Sequence, residues 1–167
     1  MPTGYRSTNV MQEKVSDATP LHEQMMARYK DRLITDSRSP AGNWLGMTLE
    51  HAEKGAVRLA LTVKKDMTNP YGNIHGGMMS AVVDETIGWA VVSLDAQLHY
   101  TSLNLNVDFL YAVGEGERMI ASARVVRAGK KIVHAECLVY NDQGTLLAKA
   151  SSNLVLRTMK IRSGEGE

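Results

Sequence analysis

Residues 69–85 read NPYGNIHGGMMSAVVDE, and Asp84 and Glu85 are the only charges in the long apolar run after His75. A buried ionised carboxylate costs several kcal/mol unless it is paired or its pKa rises. Neighbours on a helix point about 100° apart, so at least one of the two must reach solvent, a cleft or a subunit interface. Either both line an exposed strip, or Asp84 lines a cleft as a base or nucleophile. Glu85 reads as a surface or interface charge and stands second to Asp84. Upstream, NPYGNIHGG is a turn that delivers His75, Gly76 and Gly77 to a helix start. The first amides of a helix lack internal partners and carry the positive end of its dipole. Glycine lets a bound group approach that backbone closely, and such amides can hold a developing oxyanion. Gly76 and Asp84 stand a little over two turns apart, roughly 12 Å along a helix axis.

Other candidates carry less by themselves. Asn69 is a turn former. Ser102 falls on the polar face of an alternating strand, where a solvated or interface serine is as natural as a catalytic one. Arg127, Lys130 and Lys131 make RAGKK a basic hairpin tip, which on its residues alone is a solubilising turn. Cys137 sits among apolar strand residues as core filler. His22, His51, His99 and His134 show no metal-ligand spacing with one another or with Cys137, so no metal is expected.

The elements that must position these groups follow from hydrophobic period. In PLHEQMMARYKDRLI, Leu21, Met25, Tyr29 and Leu33 recur every four residues and predict an amphipathic helix over about 20–34. TDSRSPAG ends it in turn-forming residues. From Trp44 the period becomes two, predicting strands at about 44–52, 55–64, 99–111, 117–127, 131–140 and 145–157. Short connections such as VGEGE, RAGKK and YNDQG predict antiparallel neighbours, with the last four strands as a meander. The run from Gly76 to Leu94, closed by Asp95, is apolar around its circumference and predicts one buried helix. The resulting architecture is α+β: six antiparallel strands curling around one central helix, with an extra helix in front.

The 167 residues suffice for one domain with a sizeable core. We divide them into an N-terminal extension (1–40), a main domain (41–159) and a flexible tail (160–167), with residues 1–19 poorly ordered. A net charge of +1 gives no electrostatic footprint for nucleic acid. The single cysteine excludes an internal disulfide and suggests a reducing compartment. MPTGYRSTNVMQ has no apolar signal core, and no apolar run approaches the length of a membrane span. The expectation is a soluble cytoplasmic protein.

Asn69, Gly72, His75-Gly76-Gly77 and Asp84 stand at the spacing N-x-x-G-x-x-H-G-G-(six residues)-D. The pattern resembles the hotdog-fold acyl-CoA thioesterases of the phenylacetate-degradation (PaaI-like) type, from about Trp44 to Leu156. The resemblance implies that Asp84 is the general base for water or the nucleophile, and that the Gly76 amide polarises the thioester carbonyl. Asn69 would hold the water or the thioester, and His75 would support the loop near the carbonyl. Ser102 would help position water, and Gly77 would contact substrate. Arg127, Lys130 and Lys131 would lie near the coenzyme A phosphates. It further implies an acyl-CoA substrate, with coenzyme A as part of it and no separate cofactor. The site would sit between subunits of a homodimer, itself able to pair into a dimer of dimers. Other readings are a hotdog-fold hydratase or dehydratase, faintly echoed by DMTNPYGNIH, and an acyl-CoA-binding sensor without turnover. The N-terminal helix, outside the resemblance, is expected to pack across the domain or the partner and to cap the acyl pocket.

Overall fold

The computed structural model describes residues 19–94 and 99–157. Expectations for residues 1–18, for Asp95 and for the tail 160–167 lie outside the described residues. The elements are α1 (Leu21–Tyr29), α2 (Pro40–Leu45), β1 (Thr48–Glu53), β2 (Ala56–Thr62), α3 (Gly76–Val92), β3 (His99–Phe109), β4 (Arg118–Ala128), β5 (Ile132–Asn141) and β6 (Leu146–Arg157), with a 3-10 turn at Lys65–Met67. The six strands form one antiparallel sheet in the order β1-β2-β4-β5-β6-β3. It curls around α3, which packs on β2, β4, β5 and β3. Alternation decides which side chains fill the wrap: Val57, Leu59 and Leu61 of β2 and Val133, Ala135, Cys137 and Val139 of β5 are all buried.

Three expectations about where elements begin, end and pair need correction. The last four strands are not a meander: β4, β5 and β6 are, but β3 pairs with β6 and lies at the sheet edge. VGEGE is therefore a crossover. Its backbone bonds go to the loop before α3 and to the end of β2, through Ile74 N–H to Val113 O (2.8 Å) and Gly116 N–H to Val63 O (2.9 Å). Turn residues mark where a chain bends and leave the next partner open. Trp44 does not begin the first strand; it lies on α2, half exposed. SPAGNWLG carries complete helix punctuation, with Ser39 capping the Gly42 amide, Pro40 at the first turn and Gly46 left-handed (φ 67°) at the end. Finally, α1 stops at Tyr29, because the following segment is drawn onto the outer edge of β1. Asp31 N–H bonds Leu49 O and Ile34 N–H bonds Met47 O, both at 2.8 Å. Leu33 leaves the apolar stripe and is 60% exposed.

This docking gives the sheet two unlike edges. The β1 edge is covered by residues 30–34. Among the described residues nothing pairs with the β3 edge, and no β3 side chain is fully buried. Leu103, Phe109, Leu110 and Tyr111 along and after it are exposed. A bare apolar edge is a template for another chain. Similarly, α3 is not buried all round. Gly77 and Asp84 are exposed and Ala81 is half-buried. At i, i+4 and i+7 they form one open line from the helix start to the carboxylate.

Candidate active site

The loop before α3 is anchored at both ends by fully or nearly buried side chains, Met67 and Ile74. Between them Asn69 organises the turn. Its Oδ1 accepts from Tyr71 N–H (2.9 Å) and Asn73 N–H (3.3 Å), and its own backbone N–H bonds Asn73 O (2.7 Å). Gly72 supplies the left-handed residue (φ 79°) that the turn requires. With Oδ1 committed to two backbone donors, Nδ2 is the group Asn69 can still offer, and it is a donor.

His75 is the N-cap of α3. Its Nδ1 accepts from Gly77 N–H at 2.9 Å, and its backbone N–H is held by Met67 O at 2.8 Å. An accepting Nδ1 places the proton on Nε2, so the free side of the ring is a donor. Gly77 makes room for this cap, since a Cβ there would lie 3.1 Å from Nδ1. The amides of Met78 and Met79 bond His75 O. That leaves the Gly76 amide, among the first amides of α3, without an acceptor among the described residues. The geometry thus leaves the Gly76 amide open to an outside acceptor and assigns the Gly77 amide to the cap. The Phe109 ring faces Gly76 at 3.4 Å from where a Cβ would be.

Asp84 is exposed, and its Oδ1 accepts from Ser102 Oγ at 3.1 Å. Strict alternation would aim Ser102 away from the face of Leu105, Val107 and Phe109. A bulge solves this: the β3–β6 register shifts between Ser102 and Asn104, so Tyr100 and Ser102 face α3 on one side of the shift and Leu105 and Val107 pack inward on the other. Sequence period alone does not show a bulge.

Glu85 is not a surface charge. It is half-buried; its Oε2 accepts from Ser39 Oγ (2.8 Å) and its Oε1 from Trp89 Nε1 (3.0 Å). Both oxygens are committed, so the carboxylate ties the cap of α2 to the central helix. Cys137 is inert: burial pushes its thiol up to about 12.

Arg127, Lys130 and Lys131 are exposed at the β4–β5 hairpin tip. Register places the tip at the Ser102 end of the sheet, because Ser102 pairs with Leu154, Leu154 with Val133, and Val133 with Ala128. Three strand spacings, roughly 14 Å, separate the two. Among the described residues there is no group of three or more His, Cys, Asp or Glu side chains gathered for a metal, and no helix long and apolar enough to cross a membrane.

One chain therefore gathers the candidate residues in two groups. Asp84 and Ser102 form one; Gly76, His75 and Asn69 form the other. They lie on opposite sides of roughly 12 Å of helix, about twice what a base, a water and a carbonyl can span.

The thioesterase superfamily matches this chain over residues 71–148, from the turn after Asn69 to the start of β6. A protein of Saccharolobus solfataricus that carries an esterase name is 31% identical over 114 residues, covering 68% of this chain and 75% of that one. The medium/long-chain acyl-CoA thioesterase YigI of Escherichia coli K12 is 27% identical over 133 residues, covering 70% and 85%. In fold, the chain superposes on the Escherichia coli PaaI protein of the phenylacetic acid degradation operon with a TM-score of 0.69 at 20% identity, covering 81% of this chain and 90% of that one. With its sheet wrapped around one long helix and these relatives, this chain belongs to the hotdog-fold thioesterase superfamily.

Proposed function

We propose that this protein hydrolyses acyl-CoA thioesters to a free acid and coenzyme A at a site completed by two copies of the chain. The observation that carries the reading is the pairing of half-sites. Asp84 is presented by Ser102 at one end of an open helix line, and the Gly76 amide is left free at the other. Two copies joined along their bare β3 edges, with α3 helices antiparallel, bring Asp84 of one chain opposite Gly76 and Asn69 of the other. The covered β1 edge favours this pairing over the alternative.

In that arrangement the thioester carbonyl accepts from the Gly76 amide and from Asn69 Nδ2. Asp84, oriented by Ser102, takes a proton from the attacking water or attacks the carbonyl carbon itself. The oxyanion of the tetrahedral intermediate stays on the same donors, and its collapse breaks the C–S bond. Coenzyme A leaves as thiolate and takes up a proton, the one Asp84 removed from water in the general-base route; where Asp84 itself attacked, water then hydrolyses the acyl-Asp84 anhydride to the free acid and restores the carboxylate. His75 holds the helix start rigid by capping it. The basic tip of Arg127, Lys130 and Lys131 attracts the coenzyme A phosphates. The name of the YigI relative supports an acyl-CoA substrate.

The test is free-thiol release from a panel of acyl-CoAs, with wild type beside Asp84→Asn. Loss of a general base lowers kcat about 10²–10⁴-fold, with acyl-CoA binding retained. Binding without thiol release by wild type would make the protein a sensor and refute the proposal.

A further inference from the structure

A cavity of ≈ 510 Å³ opens between α1, the segment before α2, the C-terminal half of α3 and the start of β3, with Glu85 and Gly88 in its lining. That size is ordinary for a small-molecule site. We propose that this cavity receives the acyl group, and that Tyr100 at its mouth governs which acyl groups enter; this rests on the thioesterase reading above.

The cavity lies next along both elements that carry Asp84 and Ser102, and Glu85, the neighbour of Asp84 in the chain, lines it. Gly88 lines it and lies one turn beyond Asp84 on α3. Tyr100 lines it from β3, two residues before Ser102 and on the same face. Tyr100 rests directly on the helix backbone, since a Cβ at Gly88 would sit 2.2 Å from the phenol oxygen. Glycine at 88 is thus what allows the ring to stand between the Asp84 cleft and the cavity. Burial, then the carboxylates of Glu85 and Asp84, push the Tyr100 phenol up to about 12, so it stays neutral there.

The lining is mixed: Gln24, Ser37, Arg38, Ser39, Glu85 and His99 stand beside an apolar part that suits a hydrocarbon. Leu21, Met25, Trp89 and Val92 supply apolar walls. Met25 adapts its shape easily. Trp89 is fixed by an edge-to-face contact with Tyr29 (5.3 Å between centroids) and by its bond to Glu85. The charges of Arg28 and Asp36 are spent on each other, 2.7 Å apart. One whole wall comes from α1, outside the region that the superfamily matches. Acyl preference is therefore shared between the extension, through α1, and the matched domain, through Tyr100 and α3.

The experiment measures kcat/KM on acetyl-, hexanoyl- and dodecanoyl-CoA for wild type, Leu21→Trp, Val92→Trp and Tyr100→Ala, with melting curves to check folding. Filling the cavity should cut the dodecanoyl-to-acetyl ratio about tenfold or more. Tyr100→Ala should raise the same ratio. A second readout needs no turnover: titrating dodecanoate into Trp44→Phe should change the emission of Trp89, then the one remaining tryptophan. Folded, active variants with an unchanged ratio, or emission that does not respond, would overturn the cavity assignment and leave the thioesterase reading standing. A wild type inactive on every acyl-CoA would overturn both.

Discussion

Replacing Ser102 by alanine removes a single hydrogen bond, from Oγ to Asp84 Oδ1 at 3.1 Å. A bond to a charged acceptor contributes about 1.5–3 kcal/mol once water is excluded, as it is when substrate and a second copy close over Asp84. Carried into the barrier, that is a loss of roughly 10–100-fold in kcat. Both residues are exposed in the single chain, so the folded state loses only about 0.5 kcal/mol. For a chain of this length that lowers Tm by about 1–2 °C. The assay pairs steady-state thiol release with thermal melting. KM should hold while kcat falls, and Ser102→Thr, which keeps the hydroxyl, should recover most of the rate. Ser102→Ala with wild-type kcat, or a loss that threonine does not restore, would refute the assignment of Ser102 as the residue that orients Asp84.

Gly42→Ala tests the tie between extension and helix. Its Cβ would fall 2.2 Å from Glu85 Oε1, forcing the carboxylate off Ser39 and Trp89 at about 2–4 kcal/mol against up to about 1 gained in helix propensity; Tm should drop by several degrees, and an unchanged Tm would contradict the packing. Deleting residues 1–35 strips the cover from β1 and should lower Tm and broaden the range of acyl groups accepted; unchanged melting and kinetics would contradict the role given to α1. Cys137 should be silent to thiol reagents at pH 8 in the native protein and react once on denaturation. Its raised pKa also means that its contribution to stability is complete below the unfolded value near 9 and is lost as pH rises toward about 12.

Much of this was legible from residue order. Alternation located the strands and their buried faces, and the all-apolar run located the central helix. The spacing from Asn69 to Asp84 marked the candidate residues of both proposed half-sites. What stayed hidden depends on contacts distant in sequence. Trp44 carries a strand-compatible side chain, yet Ser39, Pro40 and Gly46 enclose it in a helix. The edge place of β3 depends on the crossover, whose bonds go to a loop some forty residues earlier. The bulge at Leu103 adds one residue to an otherwise regular pattern and moves Ser102 to the helix face. Glu85 finds Ser39 46 residues upstream, and only the docked extension reveals why that carboxylate is half-buried.

The claim that Asp84 of one copy works with Gly76 and Asn69 of another is tested most directly by mixing two impaired variants. Asp84→Asn removes the base. Asn69→Asp keeps the oxygen that holds the loop but replaces the free donor with an acceptor, costing about 10²–10³-fold. Unfolded together and refolded at equal amounts, half of the dimers are mixed, and each mixed dimer holds one intact site. The expected activity is about a quarter of wild type, far above either parent. Activity no greater than the average of the parents would show that base and oxyanion donor act within one chain, and would contradict the account.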